Sequence, residues 1–96
     1  SYKMVRGDIY EVSDNNVKIK NAKYYNEETA KWVDVSIKDN TLNILLPNNS
    51  IIIKNNEVKP KNKLVNGDQI RIMTNSLPQK IVSGSNIDGY IILVEK

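Results

Sequence analysis

The chain has 96 residues, of which 40% are hydrophobic and 26% are charged, and its formal net charge is +3. This length suits a single domain spanning residues 1–96 and leaves no room for a second, while the composition is ordinary for a folded globular protein. The sequence contains no histidine and no cysteine, which excludes disulfides, thiol catalysis and nearly all zinc sites.

The basic residues are almost all lysines, with 12 lysines and two arginines among the 14. Lysine is a strongly hydrated point charge that reads phosphates less well than arginine, so the mild excess favours an ordinary solvated surface. No apolar run reaches the roughly 18 residues of a membrane span. Because the chain begins Ser1-Tyr2-Lys3 without an initiator methionine, we expect it to be a piece of a longer protein.

The first predicted element is a β-hairpin. Apolar and polar residues alternate over Val5–Val12, with Ile9 on the inward face and Gly7 at a predicted bend or bulge. Ser13–Asn16 is rich in Asn and Asp, which favour turns, and Val17–Lys20 resumes the alternation. The two alternating runs and the turn between them predict an antiparallel pair.

The clearest strand pattern covers Lys31–Lys38. Its period of two places Val33, Val35 and Ile37 inward and Trp32 outward. We therefore expect a strand with an exposed indole on its outer face.

The middle of the chain is less clearly patterned. Thr41–Leu46 is apolar, and the proline that follows it disfavours helix at its end, so at most one helical turn fits there. Ile51–Ile53 is predicted to be a short buried run before a turn at Asn55-Asn56, and Lys59–Lys63 a polar connection interrupted by proline. An extra strand is expected at the three isoleucines.

The last third predicts two more strands. Leu64–Asp68 holds an Asn-Gly pair that supplies positive φ in a tight turn, and Gln69–Met73 then alternates again. Lys80–Val82 predicts a short edge piece, and Tyr90–Val94 is apolar throughout, as in a strand with both faces covered. These patterns together predict an all-β fold.

Five principal strands, separated by turns as in hairpins, fit best in a small OB-like barrel of five to seven strands. Closure of the sheet would also remove the exposed edges that so isoleucine-rich a chain presents to aggregation. We expect a monomer.

The order of these signals resembles the small OB-like domains of secreted lipoproteins and S-layer-associated proteins of Gram-positive bacteria. The resemblance spans most of the chain and depends on Val5–Ile9, Asn16–Ile19, Val35–Thr41, Leu64–Ile72 and Ile91–Val94. Pro47–Lys63 is longer than the compact pattern. The resemblance implies an extracellular or cell-surface location and an accessory role, with no catalytic residues to carry over.

One cluster is a candidate ligand-binding site, because cations and flat rings alternate in it on what should be neighbouring strands. Its members are Lys18, Lys20, Lys23, Tyr24, Tyr25, Lys31 and Trp32. Rings stack on bases or sugars and ammonium groups follow a phosphate track, which is the chemistry of OB ligand faces. The alternative is that Trp32 and the tyrosines pack under Pro47–Lys63 or against an adjoining domain of the parent protein.

The sequence does not support an enzymatic function. Glu27 and Glu28 are adjacent in a predicted loop, and Ser83 and Ser85 lack the surroundings of an activated nucleophile. No catalytic residue, metal ligand set or cofactor is predicted.

The leading hypothesis is a non-catalytic accessory or interaction domain of an exported protein, whose partner is an adjoining domain or a protein or cell-wall ligand. The alternative is an OB-type domain that binds single-stranded nucleic acid.

Overall fold

The structure, a computed structural model, describes residues 3–95. Its strands are β1 (Lys3–Val12), β2 (Asn16–Asn26), β3 (Lys31–Asp34), β4 (Leu42–Leu45), β5 (Ile51–Lys54), β6 (Glu57–Lys59), β7 (Gln69–Thr74), β8 (Ser85–Asp88) and β9 (Ile91–Val94). A 3-10 helix covers Lys61–Lys63, and within residues 3–95 no helix is long and apolar enough to cross a membrane. The predicted all-β class is confirmed, with more strands than the five to seven expected.

The strands form one sheet in the order β6-β5-β9-β7-β1-β2-β4-β8, with β3 paired to β2. The pairs β4·β8 and β5·β9 are parallel and the others are antiparallel. Because β6 and β8 end this path without pairing to each other, the predicted closure into a barrel is not confirmed. Only Gly89 and Tyr90 separate β8 from β9; the Gly89 N–H donates to the Leu45 carbonyl at 2.8 Å, and the Tyr90 N–H donates to the Met73 carbonyl at 3.0 Å.

The long β1–β2 hairpin bends at two register shifts, one between Arg6 and Asp8 and the other between Ile9 and Glu11. At the first, Asn21 of β2 adopts a φ of 52°, the left-handed conformation of an inserted residue. A Cβ on Gly7 would lie 2.8 Å from the Lys20 carbonyl oxygen, so only glycine permits this approach. The irregularity predicted at Gly7 is confirmed, and on β2 it moves the inward phase from Val17 and Ile19 to Ala22.

The core lies on the inner face of the curved sheet and is built mainly of isoleucine and valine. Its buried members are Val5, Ile9, Val17, Ile19, Ala22, Val35, Leu42, Ile44, Leu46, Ile52, Leu64, Ile70, Ile72, Ile87 and Ile92. β-Branched side chains suit a pleated surface, which explains why this composition folds into strands.

The predicted strand at Lys31–Lys38 is too long, because β3 ends at Asp34. Val35 is buried as expected and Val33 is half-buried, but Ile37 is fully exposed rather than inward. The cause is local: the Ser36 N–H donates to the side-chain oxygen of Asn40 at 2.7 Å, which closes a turn. Once the chain turns, a period of two no longer reports which face a residue occupies.

Thr41–Leu46 contains a strand, β4, which agrees with the expectation of no more than one helical turn there. Two further expectations are corrected. In the isoleucine run only Ile52 is buried, while Ile51 is 44% exposed. Lys80–Val82 is not a strand, and β8 at Ser85–Asp88 takes its place beside β4. β8 has a single apolar residue, so hydrophobic periodicity could not reveal it.

The predicted turn at Leu64–Asp68 fastens β7 to β1. Gly67 has a φ of 95°, and its N–H donates to the Ile9 carbonyl at 2.8 Å. The Asp68 carboxylate, 7% exposed, accepts hydrogen bonds from the Val65 N–H and the Lys54 ammonium group, each at 3.1 Å. This buried carboxylate therefore connects the turn, through Val65, with Lys54 of β5.

Candidate binding surfaces

The two arginines of the sequence meet its one tryptophan on the outer face of the sheet. The guanidinium carbon of Arg6 lies 4.5 Å from the ring centroid of Trp32, and that of Arg71 lies 5.6 Å from it. Tyr25 packs edge-on against the same indole, with ring centroids 5.3 Å apart. We call Arg6, Tyr25, Trp32 and Arg71 the indole cluster.

The strands that carry the cluster explain its shape. Trp32 is on β3 and Arg71 is on β7, three strand spacings away across β2 and β1, or about 14 Å. The side chains of Trp32 and Arg71 can meet across that distance only by lying flat along the sheet. The indole therefore covers neighbouring side chains and is half-buried. The prediction that Trp32 points away from the core agrees with this placement.

Beside the indole cluster lies a surface of apolar side chains that point away from the core. They are Met4, Ile51, Ile53, Val58, Met73, Ile91 and Leu93, here called the outer apolar face. Met4 is opposite Met73, which is opposite Ile91, which is level with Ile51 on the parallel strand β5. Val58 is 73% exposed and Ile51 is 44% exposed, while the other members are half-buried.

A line of basic residues borders the outer apolar face. Lys23 on β2 is opposite Arg6 on β1, which is opposite Arg71 on β7. Asp34 pairs with Lys23 at 2.6 Å and Glu95 pairs with Arg71 at 3.3 Å, so both ends of the line are neutralised. Within residues 3–95 no carboxylate lies within ion-pair distance of Arg6, which leaves a positive centre.

The structure brings together three of the seven predicted site residues, Lys23, Tyr25 and Trp32. Tyr24 has the opposite phase on β2 and packs against the core. The other three predicted residues, Lys18, Lys20 and Lys31, lie elsewhere on the sheet.

Lys18 pairs with Glu11 at 3.2 Å and lies two strand residues from Lys20, which is opposite Asp8. Lys31 is exposed on β3 and has the opposite phase to its neighbour Trp32. The sequence reasoning missed Arg6 and Arg71 as partners of the indole. Their outward phase was readable from the alternation, but their pairing depends on β1 lying beside β7.

A second surface lies on the other arm of the sheet, on β1, β2, β4 and β8. It is a shallow groove of about 280 Å³ lined by Tyr10, Lys18, Thr41, Leu42, Asn43, Gly84 and Asn86. The Asn16 amide nitrogen donates to the Asn43 side-chain oxygen at 2.6 Å, and the Asn43 amide nitrogen donates to that of Asn86 at 2.8 Å. We call this surface the asparagine groove.

A hollow of about 640 Å³ lies at the end of β2 beside Tyr24 and Tyr25 and is open and mixed in polarity. Leu77 and Ile81 of the segment before β8 close its apolar side and pack against the core. Within residues 3–95 no three carboxylates lie close enough together to hold a metal ion.

Comparison of the chain with family models, with curated proteins and with solved structures finds no match.

Proposed function

We propose that this chain is a non-catalytic interaction domain that docks a protein partner on its outer apolar face. One observation carries the proposal: β5 and β9 bear apolar side chains on the outward phase as well as the inward one, and Met73 of β7 lies beside them. On β9, for example, Ile92 is buried in the core while Ile91 and Leu93 face outward. A sheet with one solvated face alternates apolar with polar residues, so apolar residues on both phases indicate a surface that a partner covers.

The basic line defines the chemistry of the partner. Arg6 lies at the border of the outer apolar face with its guanidinium against the Trp32 ring. Tryptophan and arginine are the residues that contribute most at protein interfaces when a partner surrounds them. The partner is a protein surface with apolar side chains at its centre and a carboxylate facing Arg6, and an adjoining domain of the parent protein is its expected source.

The resemblance to OB-like domains of exported Gram-positive proteins supports an accessory role at the cell surface. An OB-like arrangement is further supported by the short link between β8 and β9. Of its two residues, Gly89 donates to Leu45 on β4, and Tyr90 donates to Met73 on β7, the strand beside β1. The absence of histidine and cysteine from the sequence supports a function without catalysis.

The two methionines of the chain, Met4 and Met73, provide the test, because both lie on the outer apolar face and oppose each other. Their ¹³C-labelled methyl groups are observed by NMR with a soluble paramagnetic agent, in this chain alone and in the complete gene product. A Met73→Leu variant assigns the two signals. Docking predicts strong broadening in the chain alone and protection in the complete protein.

A matched pair of variants sharpens this test. Ile51→Glu places a charge on the outer apolar face, while Val82→Glu places one at a comparably exposed site in the loop before β8, the two side chains being 44% and 48% exposed. Ile51→Glu should restore broadening in the complete protein and Val82→Glu should not. Equal broadening in both settings without any variant would contradict the proposal.

Binding of single-stranded nucleic acid is the second candidate, supported by the line Lys23–Arg6–Arg71 beside the Trp32 ring. Trp32 is the only tryptophan, so its fluorescence reports this site during titration with oligothymidylate. Phosphate contacts would give an affinity that falls with salt, by about 0.7 logarithmic units per neutralised phosphate for each tenfold rise in salt. Arg6→Gln would then weaken binding. No response at low salt would eliminate this candidate.

A further inference from the structure

Two asparagines, Asn43 and Asn86, are level with each other in the asparagine groove, and a third, Asn16, donates to Asn43 from a position two residues out of register. Asn16 begins β2, whereas Asn43 and Asn86 are each the second residue of a four-residue strand, level with each other on the parallel pair β4·β8. Asparagine is disfavoured in strand interiors. The two interior amides bond each other across the β4·β8 pair, and within residues 3–95 this leaves one N–H of Asn43 and the NH₂ group of Asn86 free to donate to a ligand.

A tyrosine flanks this row of amides. Tyr10 lies at the second register shift of β1, between Ile9 and Glu11, and its side chain lines the same groove as Asn43 and Asn86. Bulges of this kind commonly re-aim a side chain at a binding site. Tyr10 is 39% exposed, so its ring can be reached by a ligand lying over the amides.

The groove carries no unpaired charge among its lining residues. Lys18 is its one cation, and its ammonium group lies 3.2 Å from the Glu11 carboxylate. The remaining polar lining consists of amides, the Tyr10 hydroxyl and the Thr41 hydroxyl, and the last shares a hydrogen bond of 2.9 Å with Ser83. A phosphate or carboxylate ligand would find no free counter-charge, whereas an uncharged ligand rich in hydroxyl groups needs none.

We propose that the asparagine groove binds an uncharged carbohydrate. Each amide presents a donor and an acceptor in one plane, and a sugar hydroxyl both donates and accepts, so Asn43 and Asn86 can each engage a pair of hydroxyls. The C–H face of a sugar ring packs on the face of Tyr10, whose π-system is negative. A groove of about 280 Å³ is at the lower end for ligand sites, which fits one sugar residue with the rest of an oligosaccharide lying along the open surface.

The proposal does not depend on protein docking, because the asparagine groove and the outer apolar face share no residue. The test uses the ¹⁵N-labelled chain with two uncharged probes, the N-acetylglucosamine hexamer and maltohexaose. Binding of either should shift the side-chain NH₂ signals of Asn43 and Asn86. Tyr10→Ala should weaken that binding about tenfold, which is about 1.4 kcal/mol, whereas Tyr10→Phe should keep it. Ile37→Ala, at a fully exposed position beyond the end of β3, is the control and should leave affinity unchanged.

Two outcomes would overturn this assignment: neither sugar shifts the groove signals at millimolar concentration, or Tyr10→Ala binds as tightly as the unchanged chain. A heparin-derived oligosaccharide serves as the anionic probe. If it displaced the uncharged sugar from the groove, the ligand would be an anion and the proposal would be wrong. Thermal unfolding of each variant verifies that it is folded. We expect the Tyr10 variants to be folded because Tyr10 lies outside the core.

Discussion

Arg6 and Arg71 lie directly opposite each other on β1 and β7, and both guanidinium groups lie against the ring of Trp32. Like charges directly opposite on adjacent strands destabilise a sheet. The negative face of the indole attracts both cations, and Glu95 lies 3.3 Å from Arg71 at one end. Trp32 therefore has a structural role in addition to any part in binding.

Replacing Trp32 with alanine should destabilise the fold by about 1–3 kcal/mol, because half-buried apolar area and two cation–π contacts are lost while the arginine repulsion remains. Urea unfolding followed by circular dichroism measures this, since the variant has no tryptophan to report by fluorescence. The loss should shrink at high salt, which screens the repulsion between the two half-buried arginines.

The double variant Trp32→Ala, Arg71→Gln tests the cause. If the indole offsets repulsion between the arginines, removing one of them should recover part of the stability lost in Trp32→Ala. Strictly additive losses would mean that the ring stabilises the sheet by packing alone.

The Asp68 carboxylate should matter more than any surface ion pair of the molecule. Asp68→Ala leaves the Val65 N–H without its acceptor and removes the partner of Lys54 in a largely buried setting, so we expect a loss of about 2–3 kcal/mol. Asp88→Ala, at an exposed position of β8, is the control and should change stability by less than about 0.5 kcal/mol. Equal midpoints for the two variants in urea would refute this role for Asp68.

Local rules were sufficient where a strand alternates over many residues. The alternation in Val5–Val12 and Gln69–Met73 predicted β1 and β7 and their inward residues, and the Asn-Gly pair predicted the turn at Gly67. Local rules failed for β8, whose place depends on a parallel partner 43 residues earlier, as the Asn43–Asn86 hydrogen bond shows. They failed again at Ile37, where a side-chain hydrogen bond ended the strand.

The candidate surfaces were predictable only in part, for the same reason. The outward phase of Trp32 follows from its neighbours in sequence, but its contact with Arg71 requires the strand order of the sheet. Apolar residues on both phases of β9 are visible in the sequence and predict a strand with both faces covered. In residues 3–95 the outward residues Ile91 and Leu93 remain half-exposed, so covering by a partner is a proposal.

Gly7 should be less replaceable than Gly84, which lies in the loop before β8. In Gly7→Ala the added Cβ would lie 2.8 Å from the backbone oxygen of Lys20 and 2.9 Å from the Cδ1 atom of Ile19, so the hairpin itself must shift, at a cost of about 2 kcal/mol or more. Gly84→Ala meets no atom but has a φ of 82°, and should cost about 1 kcal/mol.

Thermal or urea unfolding of both glycine variants gives the comparison. Adding Ile19→Val to Gly7→Ala removes the contact with Cδ1 and leaves that with the Lys20 carbonyl. The second change should therefore fail to restore stability. Full rescue would show that the side chain of Ile19, and not the backbone, sets the limit at Gly7.

Val35 and Ile37 have the same sequence phase but opposite environments, and substitution separates them directly. Val35 is 8% exposed and packs in the core, so Val35→Ala should lower the free energy of unfolding by about 1–2 kcal/mol. Ile37 is fully exposed beyond the end of β3, so Ile37→Ala should change it by less than about 0.5 kcal/mol. A loss at Ile37 comparable to that at Val35 would mean that the strand continues past Asp34 and that the Ser36–Asn40 turn does not form.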